Sequence, residues 1–191
     1  MKLNGNFVNL RPLQVQDAEI TFGWRQSDRA QFLNQGAATV EVQEQWILTR
    51  PKDEYNFIIE LKDGRPVGTL SLINIDQKNR HAEPGRFLIG DEEAARGVPV
   101  AVEAMKLLYE LAFNQIKLVR LWGIVASNNL LMLKWQKYMG MKEEGRLRQH
   151  LLQGQQFHDA VCLGILVDDY KNITLPRMAG LLALAMKKVN N

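Results

Sequence analysis

The segment Phe87-Leu-Ile-Gly-Asp-Glu-Glu-Ala-Ala-Arg-Gly-Val-Pro-Val-Ala-Val-Glu-Ala-Met105 has the residue types of an anion site. An apolar strand gives way to a glycine-containing turn, and the turn opens a helix. Such a hand-over aims several backbone N–H groups and the positive end of the helix dipole at one spot. The chemistry it suits is the binding of a phosphate-bearing cofactor. Pro99 stands where a phosphate loop more comfortably carries glycine, because its nitrogen has no hydrogen to donate. Other reactive residue types are sparse. Cys162, the single cysteine, lies in the apolar run Ala160-Val-Cys-Leu-Gly-Ile-Leu-Val167 and reads as a strand residue, not a nucleophile. His81, His150 and His158 lack the spacing of a metal site, so none is expected.

The elements that must position this turn follow from periodicity. Residues 7–11 alternate as a strand that Pro12 stops. Asp17 can cap a helix through Trp24, a short helix follows near 27–33, and Thr39 can cap a third through Trp46. Residues 55–61 and 66–76 read as a hairpin around Asp63-Gly64, and a strand centred on 86–89 precedes the turn. A helix is expected over about 98–114, from the spacing of Val102, Met105, Leu108, Tyr109 and Ala112. Residues 119–126 read as a buried strand. A helix then opens near Ser127-Asn-Asn129 and ends at Gly140. Two long strands at about 141–152 and 157–167 and a tail helix over 175–189 complete the chain. This order is that of a mixed α/β domain, largely antiparallel at first, with a crossover helix in the middle.

Bulk properties agree with one domain and a full core. The chain has 191 residues, 46% hydrophobic and 24% charged, with a net charge of +3. Lys and Arg are dispersed, so no nucleic-acid role is expected. No apolar run approaches the ~18 residues of a membrane span, no leader-like segment stands at the start, and a cytoplasmic location is the expectation.

Taken together, these residues resemble the Gcn5-related N-acyltransferase superfamily over roughly residues 6–170. Its acyl-CoA motif, Gln/Arg-x-x-Gly-x-Gly/Ala, is similar to Arg96-Gly-Val-Pro-Val-Ala101, with Pro99 in place of the central glycine. Glu103-Ala104 matches the start of the family's helix, and Asn129 through Gly140-Met141 matches a later signature. The stretch Glu144-Gly-Arg-Leu-Arg-Gln-His150, then Gly154-x-x-Phe157-His-Asp159, resembles the branch of ribosomal-protein, spermidine and nucleotide amino-sugar N-acetyltransferases. The resemblance implies a fold with a mostly antiparallel sheet of about seven strands flanked by helices. It implies residues 1–170 as the catalytic domain. Residues 171–191 lie outside the resemblance, and the apolar stripe Leu175, Met178, Leu182 and Met186 is expected to pack this helical extension on the domain or on a second copy in a homodimer.

It also implies roles. Acetyl-CoA would be the acyl donor, its pyrophosphate held by N–H groups among Arg96, Gly97, Val98, Val100 and Ala101. Its carbonyl would be polarised by a backbone N–H of Phe87, Leu88 or Ile89, and Asn129 would contact the pantetheine arm or cap its helix. Glu83, in a segment similar to the branch's Ala-Glu-x-Gly-Tyr, is the expected base, with His81 ranked second. Where many family members carry a tyrosine acid this chain has Gln136, and Tyr138 lies about 200° further around a helix. Gln136 then donates a hydrogen bond, another group acts, or the thiolate leaves without a positioned acid. Trp24-Arg25 and Trp46 resemble substrate residues of the amino-sugar branch, and an arginine beside an aromatic shelf suits a nucleotide diphosphate or a sugar. The alternative places both tryptophans in the core. The expected acceptor is a nucleotide-linked amino sugar or another small primary amine. A protein or peptide α-amine and a catalytically idle acyl-CoA-binding domain are the other readings.

Overall fold

A computed structural model describes residues 1–34 and 36–189. Eight strands form one sheet in the order β1-β2-β3-β4-β5-β6-β8-β7. They are β1 (Leu3–Asn4), β2 (Val8–Pro12), β3 (Tyr55–Leu61), β4 (Pro66–Asp76), β5 (His81–Ile89), β6 (Arg120–Ala126), β7 (Lys142–Gln153) and β8 (Gln156–Leu166). The eighth strand relative to expectation is β1, two residues long and too short to carry a periodic signal. Every neighbouring pair is antiparallel except β5 and β6. That parallel pair is registered at His81↔Arg120 and Ala82↔Leu121, after which the two strands part.

The alternation of β3 shows how the sheet is covered. Phe57 and Ile59 face a core that includes Leu70, Leu72, Ala104, Leu108, Leu121 and Met178. Ile58, between them, faces a smaller core with Trp24, Ile47 and Leu88. The larger core is closed by α4 (Val100–Glu110) and α7 (Leu175–Val189), and the smaller by α1 (Ala18–Arg25) and α2 (Val40–Thr49). One-turn α6 (Val167–Asp169) leads through the π turn Tyr170–Thr174 into α7, which buries Met178.

Two local expectations are corrected. The helix expected at about 98–114 is present as α4, continued by the π turn Leu111–Gln115, and a further short helix, α3 (Glu92–Ala95), precedes it ahead of the Arg96–Pro99 turn. Asp91 starts α3 by accepting from Ala94 N–H at 3.0 Å, and Gly97 at φ +79° breaks it. The segment near 27–33 forms a single turn, Asp28–Ala30. Asp17 does not cap α1 with its side chain. Its carboxylate instead receives both Arg11 Nη groups at 2.6 and 2.7 Å, and the guanidinium is the stronger partner. By contrast Thr39 caps α2 as expected, Gly64 turns the hairpin at φ +91°, and Gly140 ends α5 (Leu130–Tyr138) at φ +103°.

One contact ties the sheet edge to α4. Glu103 on α4 is 3% exposed and accepts from Asn6, Phe7 and Val8 N–H at 2.8, 2.6 and 2.7 Å. A Cβ at Gly5 would lie 2.5 Å from the Glu103 carboxyl carbon, so only glycine lets the β1–β2 turn wrap this side chain.

Candidate active site

The turn between α3 and α4 presents fewer donors than its sequence allows. Arg96, Val98 and Val100 N–H groups bond inside the turn, to Glu93, Ala95 and Val98 carbonyls. That corrects the expectation for those three: the tight turn that Gly97 permits, followed by Pro99, closes their N–H groups onto local carbonyls. Gly97 and Ala101 N–H take no backbone acceptor outside the helix, and neither does the adjacent Val102. These three are the open donors at the positive end of α4. Arg96 is exposed and makes no ion pair among the described residues. A Cβ at Gly97 would meet nothing within 4 Å, so the outer face of the turn is clear.

β5 and β6 stop pairing after Ala82 and Leu121, which leaves a slot between the two strands. Within β5 a bulge interrupts pairing with β4, where Thr69 meets Leu88 and Ser71 meets Gly85. Arg86 and Phe87 fall in the bulge, and Arg86 sits at φ +52°. Thr69 Oγ1 donates to Arg86 O at 2.8 Å and fixes it. The β5 edge through Phe87, Leu88 and Ile89 therefore borders the slot without a β6 partner, as a carbonyl-polarising strand requires.

Glu83 lies on β5 just past the last β5–β6 pair, opposite Ile73. A second bulge, on β4, sets Asn74 at φ +50° and lets its amide donate to Glu83 Oε2 at 2.7 Å. Burial pushes the Glu83 carboxyl above the ordinary range, against the Asn74 bond and the Arg86 charge, which favour ionisation. His81 is two residues away. Its Nδ1 accepts from Trp122 Nε1 at 3.3 Å and its Nε2 stands 3.8 Å from Asp76, so it is tied to β6 and the β4 end.

On α5, Asn129 Oδ1 accepts from Met132 N–H at 3.2 Å. The carbonyl of Asn129 is thus used as a cap, and its amide nitrogen is the part left for a ligand. Gln136 Oε1 is buried with no hydrogen-bond partner among the described residues. An orphaned amide oxygen of this kind costs roughly 1–3 kcal/mol until a donor arrives. Trp135 packs against the larger core, while Tyr138 is exposed under Arg177.

The three residues expected on the acceptor side separate. Trp24 is buried, and a Cβ at Gly90 would lie 2.1 Å from its ring, so it serves packing between α1 and β5. Trp46 is partly buried and carries the Arg86 guanidinium 5.1 Å above its ring. Arg25 is half-buried, and burial together with the Arg86 charge lowers its pKa. Sequence reasoning missed Arg86, Glu54 and Asn56. Arg86 Nη1 donates to Glu54 and Asn56 at 2.6 and 2.7 Å, and Ser71 donates to the same Asn56 oxygen at 2.7 Å. The available signal was an arginine in Ala82-Glu-Pro-Gly-Arg86 where the similar motif has tyrosine.

These features fit an acyl-CoA. Open donors at Gly97, Ala101 and Val102 with Arg96 suit a diphosphate. The unpaired β5 edge suits an extended amide-bearing arm, and the orphaned Gln136 oxygen suits an N–H or S–H donor. Comparison with known proteins points the same way. The acetyltransferase (GNAT) domain family matches residues 8–142. The probable N-acetyltransferase YjcK of Bacillus subtilis is 31% identical, covering 87% of this chain and 98% of that protein. The putative ribosomal N-acetyltransferase YdaF of Bacillus subtilis is 32% identical, covering 58% of this chain and 59% of its own length. Among solved structures, the spermidine N-acetyltransferase from Vibrio cholerae in complex with CoA and spermine superposes with a TM-score of 0.78 at 20% identity, over 88% of this chain and 100% of that one.

Proposed function

This chain belongs to the acetyltransferase (GNAT) family, and on that premise we propose that it acetylates the primary amine of a small acceptor with Glu83 as base. Acetyl-CoA is the donor. When bound it would supply a thioester as acyl donor and a thiolate as leaving group, which would take its proton from solvent. Gly97, Ala101, Val102 and Arg96 hold its diphosphate, and the bulged β5 edge offers a backbone N–H to the carbonyl oxygen. Glu83 Oε1, the oxygen that Asn74 leaves free, takes the amine proton directly or through water. Gln136 Oε1, which has no partner among the described residues, accepts a hydrogen bond from the bound cofactor's N–H or S–H.

The observation that carries this reading is Glu83 itself. It is a half-desolvated carboxylate with one neutral donor, placed where β5 and β6 part. The acceptor we favour is a nucleotide-linked amino sugar or another small amine, on the strength of Trp46 stacked on Arg86 and of Arg25 close to the same guanidinium. The likeness to a putative ribosomal N-acetyltransferase supports a protein α-amine as the second reading. We also assign residues 1–170 to the catalytic domain and 171–191 to a helical extension.

Thermal-shift measurement and thiol release with acetyl-CoA and an amine panel test the proposal. Stabilisation by acetyl-CoA with thiol release on a small amine is the expected outcome. Stabilisation without release on any amine or peptide indicates an idle binding domain. Arg96→Ala should raise the KM for acetyl-CoA roughly tenfold, the weight of one charge-assisted hydrogen bond. Unchanged KM would remove Arg96 from the site.

A further inference from the structure

We propose that Arg86 selects the acceptor: the Nε–Nη2 edge of its guanidinium receives a carboxylate or phosphate carried close to the acceptor amine. The inference rests on the acetyl-transfer reading for the position of the amine beside Glu83.

The guanidinium is held on two sides and open on a third. Its Nη1 hydrogens go to Glu54 Oε2 at 2.6 Å and Asn56 Oδ1 at 2.7 Å, and Nη2 reaches Glu54 Oε1 at 3.4 Å. Glu54 therefore fills the end-on edge. Nε and the second Nη2 hydrogen have no partner among the described residues, and together they form the fork that binds a carboxylate or phosphate bidentately. Trp46 covers one face of the plane at 5.1 Å, which steers a ligand to the open edge. The Arg86 side chain is 31% exposed, so this edge can be reached.

The surroundings favour an anion. Three guanidiniums, Arg25, Arg50 and Arg86, stand against two carboxylates, Glu54 and Glu83. Arg50 is committed to the Ile47 and Leu13 carbonyls, and Arg25 to the Asn34 carbonyl. Glu54 stays ionised: burial would raise its pKa, but the bonds from Arg86 and Asn56 outweigh it. The pocket thus has no spare carboxylate for a second ammonium. A backbone at φ +52° costs any side chain of this size about 1 kcal/mol or more, which glycine would avoid. The Glu54 pair and the open fork are what the arginine provides in exchange.

Acceptor affinity by calorimetry with CoA present, alongside kcat/KM, provides the test. The matched probes are glucosamine 6-phosphate against glucosamine, and β-alanine against β-alaninamide, with spermidine as the polycation. Wild-type protein should favour the anionic member of one pair at least tenfold and rank spermidine last. The pair that responds identifies phosphate or carboxylate. Arg86→Gln should abolish the preference. Arg86→Lys keeps a charge for Glu54 but not the fork, so it should reduce the preference to about threefold and reports even if Arg86→Gln fails to fold. A wild-type preference for spermidine, no preference in either pair, or equal losses on neutral and anionic acceptors in Arg86→Gln would each overturn the proposal. Because affinity is read without turnover, a Glu83→Gln variant that keeps full activity would refute the base assignment and leave this measurement standing.

Discussion

Glu103 and Glu83 are both drawn out of bulk water, one on α4 and one on β5. Glu103 is 3% exposed and takes three backbone N–H groups, at 2.6 to 2.8 Å. Glu83 is half-buried and takes one bond, from the Asn74 amide at 2.7 Å. A carboxylate wrapped in three N–H donors has its lone pairs filled and serves as a clamp. A carboxylate whose desolvation exceeds its hydrogen bonding has a raised pKa and gains by accepting a proton. Burial alone therefore does not mark a reactive group in this fold. The number of donors supplied to it does.

Substitutions can break or sharpen this contrast. The largest expected effect is on stability, from Glu103→Ala. It leaves three backbone N–H groups, that of Val8 buried, without their acceptor and should lower the unfolding free energy by roughly 1–3 kcal/mol in urea titration. A loss below about 1 kcal/mol would show that the β1–β2 turn closes without the clamp. Next, Glu83→Gln should reduce kcat about a hundredfold, the lower end for general base catalysis, with little change in the urea midpoint. A stability loss matching that of Glu103→Ala would erase the distinction between the two glutamates. The pH profile gives a finer test. The base must be deprotonated, so activity should fall as pH drops through the raised Glu83 pKa, at higher pH than for an ordinary exposed glutamate. The smallest effect is expected for Asn74→Ala. It removes a bond that favours the charged form, so the acid limb of kcat/KM should move further upward. An unmoved limb would show that Asn74 does not tune Glu83.

Much of the scaffold was legible because its signals are local. Asp63-Gly64, Thr39 and Gly140 each determine a turn or cap with residues only a few positions away, and each behaves as its type requires. For the candidate site, residue types drew attention to Glu83 and the Arg96–Ala101 turn, and both enter the proposed mechanism. What stayed hidden depends on distant partners. Glu103 meets residues 95 to 97 positions earlier in the chain. Arg86 meets Glu54 and Asn56 across the sheet, 32 and 30 positions away. The bulges at Asn74 and Arg86 carry no glycine, so no residue type announces them. The short α3 (Glu92–Ala95) went unread because four residues are too few to show a helical period.

The Glu103 clamp also has a consequence in time. The turn at Asn6, Phe7 and Val8 is made well before its acceptor, which arrives only when residue 103 has been added and α4 has docked. Until then those three N–H groups depend on water, and β2 can pair with β3 while the turn before it stays loose. Closure of this edge of the sheet is therefore a late, long-range event that waits for α4.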